Sequence, residues 1–144
     1  MKKITVFVLL TLVLCISNAC KKEGCISSDA ENYNSEAKKD DGSCTYKGNL
    51  VMWFDANKTI EYSATGTSTL SFYLNSELVG TLALTDFLTS TPLCGGAQAI
   101  TVQRDLGGSS SANYSLQIKG SSNQVLDNYT VTIKAKKCTS FLLN

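Results

Sequence analysis

The sequence predicts an all-β fold, a small antiparallel β-sandwich of about seven strands that follows a short disulfide-stapled turn module. Three observations predict it. From Tyr46 onward the chain is a series of short runs rich in β-branched and aromatic residues, many alternating apolar and polar. Clusters of Gly, Ser and Asn separate those runs at hairpin spacing. No stretch of this region keeps a helical period of apolar residues. Apolar residues make up 43% of the 144-residue chain and charged residues 17%, with a single proline, a composition that folds rather than one that stays disordered.

The elements divide the chain at residues 1–19, 20–45 and 46–144. Met1-Lys2-Lys3 is a basic start, and Ile4 to Ile16 is an apolar run of 13 residues. A membrane-spanning helix needs about 20 residues, so this run suits the core of a signal peptide instead. Ser17 and Ala19 supply small side chains three and one positions before Cys20, where a signal peptidase accepts little bulk. Cys20 is therefore the expected lipidation site. Cys15 follows Leu14, which is too bulky for the small position. Removing Lys2 and Lys3 takes the formal charge from +1 to −1. A near-neutral chain has no long-range field to gather nucleic acid, and none is expected as a partner.

With Cys15 in the leader and Cys20 acylated, Cys25, Cys44, Cys94 and Cys138 remain, an even set that allows three connectivities. Chain order favours Cys25–Cys44 and Cys94–Cys138, as expected in an oxidising compartment. The first pair brackets a segment with few large apolar residues, which needs a covalent clip because it lacks a core of its own. Its Asp41-Gly42 is a turn signal. The paired carboxylates Asp40 and Asp41 invite a calcium reading. Their spacing is not that of an EF-hand loop, and the expected role is to cap a turn in water, with no metal and no cofactor.

In the body, Leu50 to Asp55 is a first strand, apolar on both sides. Thr69 to Asn75 alternates through Leu70, Phe72 and Leu74, and Asn75-Ser76 turns the chain into Glu77 to Leu84. Ala99 to Gln103 alternates around Ile100 and Val102. Gly107 to Ser111 is a polar turn before Asn113 to Lys119, which carries Tyr114, Leu116 and Ile118 on one face. Gly120 to Asn123 leads into Asp127 to Lys136, with Tyr129, Val131, Ile133 and Ala135 alternating, and Cys138 to Leu143 forms a last strand through Phe141 and Leu143. Trp53 is expected in the sandwich core rather than on a sugar-binding platform with Phe54, Tyr62 or Tyr73. Lys134, Lys136 and Lys137 form a basic edge that discourages sheet-to-sheet pairing.

Function is constrained chiefly by what is missing. The chain has no histidine, which removes Ser-His-Asp, Cys-His and His-zinc chemistries. No convergent set of polar residues suggests a catalytic site, so no catalytic residue is expected. Three stretches carry family resemblances. Ser17-Asn18-Ala19-Cys20-Lys21-Lys22-Glu23 resembles the loosened lipobox of Bacteroidetes lipoproteins, which implies a cell-envelope protein held at the outer membrane by lipid. Gly24, Cys25, Ala30, Asn32, Tyr33, Asn34, Ala37, Asp40, Asp41, Gly42, Ser43 and Cys44 match a short module of secreted and surface bacterial proteins. Ser27, Ser28 and Ser35 stand where that module has Asp, Pro and Pro. Leu70 to Gly120 is similar to PEGA-like β-sandwich domains, which implies a non-catalytic surface domain. The expectation is a lipid-anchored protein in which the stapled module is a spacer and the sandwich binds a glycan, a peptidoglycan fragment or an envelope protein. A structural subunit of a surface assembly is the alternative, and a small hydrolase a weaker one.

Overall fold

The structure is a computed structural model that describes residues 22–144. Seven strands, β1 (Tyr46–Trp53), β2 (Thr69–Leu74), β3 (Glu77–Ala83), β4 (Ile100–Gly107), β5 (Ser111–Lys119), β6 (Val125–Lys134) and β7 (Cys138–Leu142), build two sheets. One sheet has three strands in the order β4-β1-β7, and the other has four in the order β3-β2-β5-β6. This is a small all-β sandwich.

The alternation of the sequence fixes which faces meet. Leu50 and Met52 of β1, with Phe54 just beyond it, join Leu70, Phe72 and Leu74 of β2 and Leu116 and Ile118 of β5 in one buried cluster. Val131, Ile133 and Ala135 complete it from β6 and its exit, and Leu143 from the end of β7. Tyr114, Tyr129 and Phe141 pack around its margin. Each large side chain taken wholly out of water contributes about 1.5–3 kcal/mol, so this one layer dominates stability. Asn75 and Ser76 take φ of 48° and 70°, which is the type I′ geometry that matches strand twist in a two-residue hairpin.

Two glycines mark the seams where the sheets approach each other. A Cβ on Gly48 would lie 2.4 Å from the carbonyl oxygen of Lys134, and one on Gly80 would lie 2.9 Å from Cδ1 of Ile100. The first contact joins β1 to the end of β6, and the second joins β3 to β4. At Gly48 the neighbour is backbone that cannot give way, and at Gly80 it is the Ile100 side chain.

Residues Val51 and Trp53 are also buried, at 0% and 6% exposure, yet they lie outside the central cluster because they point to the opposite face of β1. Their neighbours across the ladders are Thr101 on β4 and Ser140 and Leu142 on β7. The 87–99 segment is fastened over this face. Leu88 donates its amide to the Phe54 carbonyl at 3.0 Å, Gly95 donates to Thr101 Oγ1 at 2.8 Å, and Cys94 is bonded to Cys138 at the start of β7. The Trp53 indole N–H donates to Ser140 Oγ at 2.9 Å, which satisfies the one polar atom on that ring. Trp53 is thus buried beneath a loop and not in the inter-sheet core where the sequence placed it. Strand alternation dictates this, because Leu50, Met52 and Phe54 already occupy the inner face.

Two further differences have clear causes. The chain does contain a helix, α1 (Ala56–Ser63), which carries β1 over to β2. Asp55 is not strand but the helix N-cap, its carboxylate accepting the Lys58 amide at 3.1 Å. Lys58 and Tyr62 are the buried residues of α1, while Ile60 is 70% exposed. The apolar pattern is therefore inverted, and no hydrophobic period betrays the helix. The other difference is β7, which runs parallel to β1 although the remaining pairings are antiparallel. After β6 the chain crosses from the four-stranded to the three-stranded sheet, so no hairpin sets its direction.

The bracketed segment docks on one end of the sandwich. Cys25 and Ala30 belong to the central cluster, and Cys44 packs against it. Asn32 ties the segment together, accepting the Thr45 amide at 2.9 Å and donating to the Ser43 carbonyl at 2.6 Å. Asp40 and Asp41 each accept an amide two residues ahead, from Gly42 at 3.2 Å and from Ser43 at 2.9 Å. Most matched positions of the module are therefore accounted for by turn chemistry and burial. The Cys25–Cys44 bond closes a loop of 19 positions, worth about 3 kcal/mol in the chain-entropy account.

Two outcomes are expected. Gly48→Ala should lower unfolding stability by about 1–3 kcal/mol in urea titration, since its Cβ meets backbone that has no rotamer to change. Replacing Cys94 and Cys138 together by alanine should free the 87–99 segment and red-shift the emission of Trp53, the protein's one tryptophan. Unchanged emission would mean that the disulfide does not hold the cover in place.

Candidate functional site

A concentrated group of charged and phenolic side chains lies where α1 meets β6. Lys58 Nζ, with a side chain only 7% exposed, contacts Glu61 Oε2 at 3.0 Å and Asp127 Oδ2 at 3.1 Å. The Tyr62 hydroxyl donates to Asp127 Oδ2, as does the Tyr129 hydroxyl at 3.0 Å. The ammonium also sits 4.9 Å from the centre of the Tyr62 ring. These groups come from two distant segments, with Asp127 65 positions after Tyr62.

The electrostatics are those of a closed brace. Burial alone would raise the Asp127 carboxyl, but the hydrogen bonds from Tyr62, Lys58 and Tyr129 outweigh it and hold its pKa below the ordinary 3.8. Burial works against the Lys58 ammonium too, yet Glu61 and Asp127 leave its pKa above the ordinary 10.5. The Tyr62 phenol is pushed far up, first by burial and then by the Asp127 carboxylate that accepts its hydrogen bond. Burial and Asp127 likewise raise Tyr129. A lysine held charged and phenols held protonated have no free base among them near neutral pH. Among the described residues no buried side-chain nitrogen or oxygen lacks a partner. The adjoining hollow, of about 190 Å³, is lined by Asp55, Asn57, Lys58, Glu61 and residues 142–144.

A second hollow, a cleft of about 300 Å³, opens where the bracketed segment meets the sandwich. Its walls are Ser110 and Ser111 from the β4–β5 turn, Lys134, Ala135 and Lys137 from the β6–β7 turn, and Asp29. The β6–β7 turn is fixed by its backbone on several sides. Ala135 donates to the Ser110 carbonyl at 2.8 Å, Lys136 to Lys47 at 2.9 Å and Lys137 to Lys134 at 3.3 Å, while the Lys137 carbonyl accepts the Asn49 amide at 3.0 Å. Lys136 Nζ reaches across to the Ser28 carbonyl at 2.7 Å and latches the segment to the turn. Lys134 and Lys137 enter no ion pair among the described residues.

The residues singled out in the sequence are distributed differently. Cys25–Cys44 and Cys94–Cys138 are bonded as expected, and two disulfides fit an oxidising, extracytoplasmic compartment. Cys20 lies outside the described residues. Hydrogen bonds from the Ser43 hydroxyl and amide hold Asp41 below its ordinary value, and no group of three or more metal-ligating side chains converges among the described residues. Trp53 and Tyr62 are buried, so they offer no flat aromatic surface. Gly107 and Gly108 sit at the β4–β5 turn. The Lys58–Asp127 brace was missed because its helix was missed. Asp55 ahead of the helix and Gly66 beyond it, at φ 76°, are the cap signals that could have found α1. No local signal could have named Asp127 as its partner. No helix among the described residues is long and apolar enough to cross a membrane.

Because Asp127 is lowered in the folded state, its contribution is complete above pH 3.8 and is lost as the pH falls through its folded value. Lys58, Tyr62 and Tyr129 are raised, so theirs is complete below pH 10 and lost above it. Asp127→Asn should cost about 3 kcal/mol at neutral pH, and should flatten the acid limb of a plot of urea midpoint against pH. A variant with the wild-type acid limb would remove Asp127 from that role. No family model, curated protein or solved structure matches the chain, so the site is read from its own geometry.

Proposed function

We propose that the protein is a lipid-anchored component of a bacterial cell envelope, held at the outer membrane through Cys20, whose β-sandwich is a non-catalytic binding module. The observation that carries the anchor is the fate of the other cysteines. All four downstream of the junction are consumed in Cys25–Cys44 and Cys94–Cys138, which leaves Cys20 without a disulfide partner among them. The small residues Ser17 and Ala19 ahead of it and the 13-residue apolar run before them supply the processing signal. An acyl anchor of two or more chains gives stable membrane attachment, since each buried methylene contributes about 0.8 kcal/mol.

The reading of the body as a binding module is supported by its polar chemistry. The buried charged cluster around Lys58 and Asp127 is saturated by its own members and ties a helix to a sheet. The more open polar hollow is a cleft between two turns and the bracketed segment. Its chemistry is that of recognition, with ammonium, hydroxyl and carboxylate groups available to a glycan, a peptidoglycan fragment or another envelope protein. The bracketed segment, latched through Lys136, joins the anchor to the module.

Cells fed a labelled fatty acid should transfer label to the wild-type protein and not to Cys20→Ala. Label retained by the variant would overturn the anchor assignment.

A further inference from the structure

Resting on the reading of the body as a displayed binding module, the geometry points to the junction cleft as a phosphate site. Its ligand is a phosphate group attached to a small moiety bearing a hydroxyl or an amine. Lys134 and Lys137 are the first and last residues of one hydrogen-bonded turn, so their Cα atoms lie within about 7 Å of each other. Both residues line the cleft. Two like charges carried on neighbouring stems favour an anion between them.

The backbone holds this arrangement before any ligand arrives. Four main-chain hydrogen bonds, to Ser110, Lys47, Lys134 and Asn49, fix the turn that carries the lysines. Preorganisation of this kind lowers the ordering cost of binding. Ser110 and Ser111 add two hydroxyl donors from a different turn. Four donor groups suit the several acceptor oxygens and the higher charge of a phosphate. Asp29, on the wall contributed by the bracketed segment, repels the phosphate and accepts from an attached ammonium or hydroxyl, which gives the ligand a direction. The volume of about 300 Å³ matches the lower end of small-molecule sites.

Such a group reaches the cleft either on a membrane phospholipid or free in solution. The cleft reaches the bracketed segment at Asp29, nine positions after Cys20, so an acylated chain would hold it within about 30 Å of the head groups. The test uses the full chain in an uncharged, phosphate-free detergent, titrated with phosphoethanolamine and, separately, with phosphatidylethanolamine added to the same micelles. The amide resonances of residues 134–137 report binding. Saturable shifts are expected, with affinity reduced about tenfold when Lys134 and Lys137 are both changed to Gln, and unchanged in Lys119→Gln, whose ammonium lies over the Tyr73 ring instead. Tighter binding of the lipid assigns the head group, and binding of phosphoethanolamine alone assigns a soluble phosphate. No saturable shift with either probe, or equal affinity in the double variant, overturns the site. Fatty-acid labelling is read separately, so a failed anchor and a failed phosphate site are distinguishable.

Discussion

The double-sided burial of β1 is the constraint on which the rest of the structure depends. Leu50, Met52 and Phe54 face the four-stranded sheet, and Val51 and Trp53 face away from it. A strand apolar on both faces in a two-layer protein needs a third cover, and here a loop provides it. The 87–99 segment has too few apolar residues to stay in place by burial alone, so Cys94–Cys138 and two hydrogen bonds hold it there. The same disulfide fixes the start of β7 beside β1. One covalent link therefore couples a cover, an edge strand and the protein's one tryptophan.

The opposite design appears at α1, where polar groups face inward. A lysine and a tyrosine replace the apolar stripe of an ordinary surface helix, and Asp127 receives both. Burying an ion pair carries a desolvation cost close to its Coulombic gain, so the brace adds little net stability compared with apolar packing. Its members do set the position of the helix, because a buried ammonium is far more costly without its carboxylates. The chemistry that holds α1 in place also keeps Lys58 charged and Tyr62 protonated near neutral pH.

The bracketed segment and the sandwich share one core through Cys25 and Ala30, and they share a cleft through Asp29 and the β6–β7 turn. Fixing the segment against the sandwich fixes the walls of that cleft.

The inner faces of the strands were legible in the sequence, since a period of two along Leu70, Phe72 and Leu74 or Tyr129, Val131 and Ile133 needs no partner to be seen. The disulfide pairs followed from count and order, and the Asp41-Gly42 turn followed from local backbone chemistry. Three features were not legible. Helix α1 hides because its buried face is polar. The outward burial of Trp53 depends on a loop some 40 residues away along the chain, whose hold on β1 no local pattern announces. The cleft exists only because the β4–β5 turn, the β6–β7 turn and Asp29 meet at one corner. The sequence by itself determined the strands, their inward residues and the covalent staples, all consequences of short-range periodicity and composition. Tertiary structure alone decided the parallel course of β7, the Lys58–Asp127 pairing and the convergence of Lys134 with Lys137, Ser110 and Ser111, because each depends on which distant segments the shared core brings into contact.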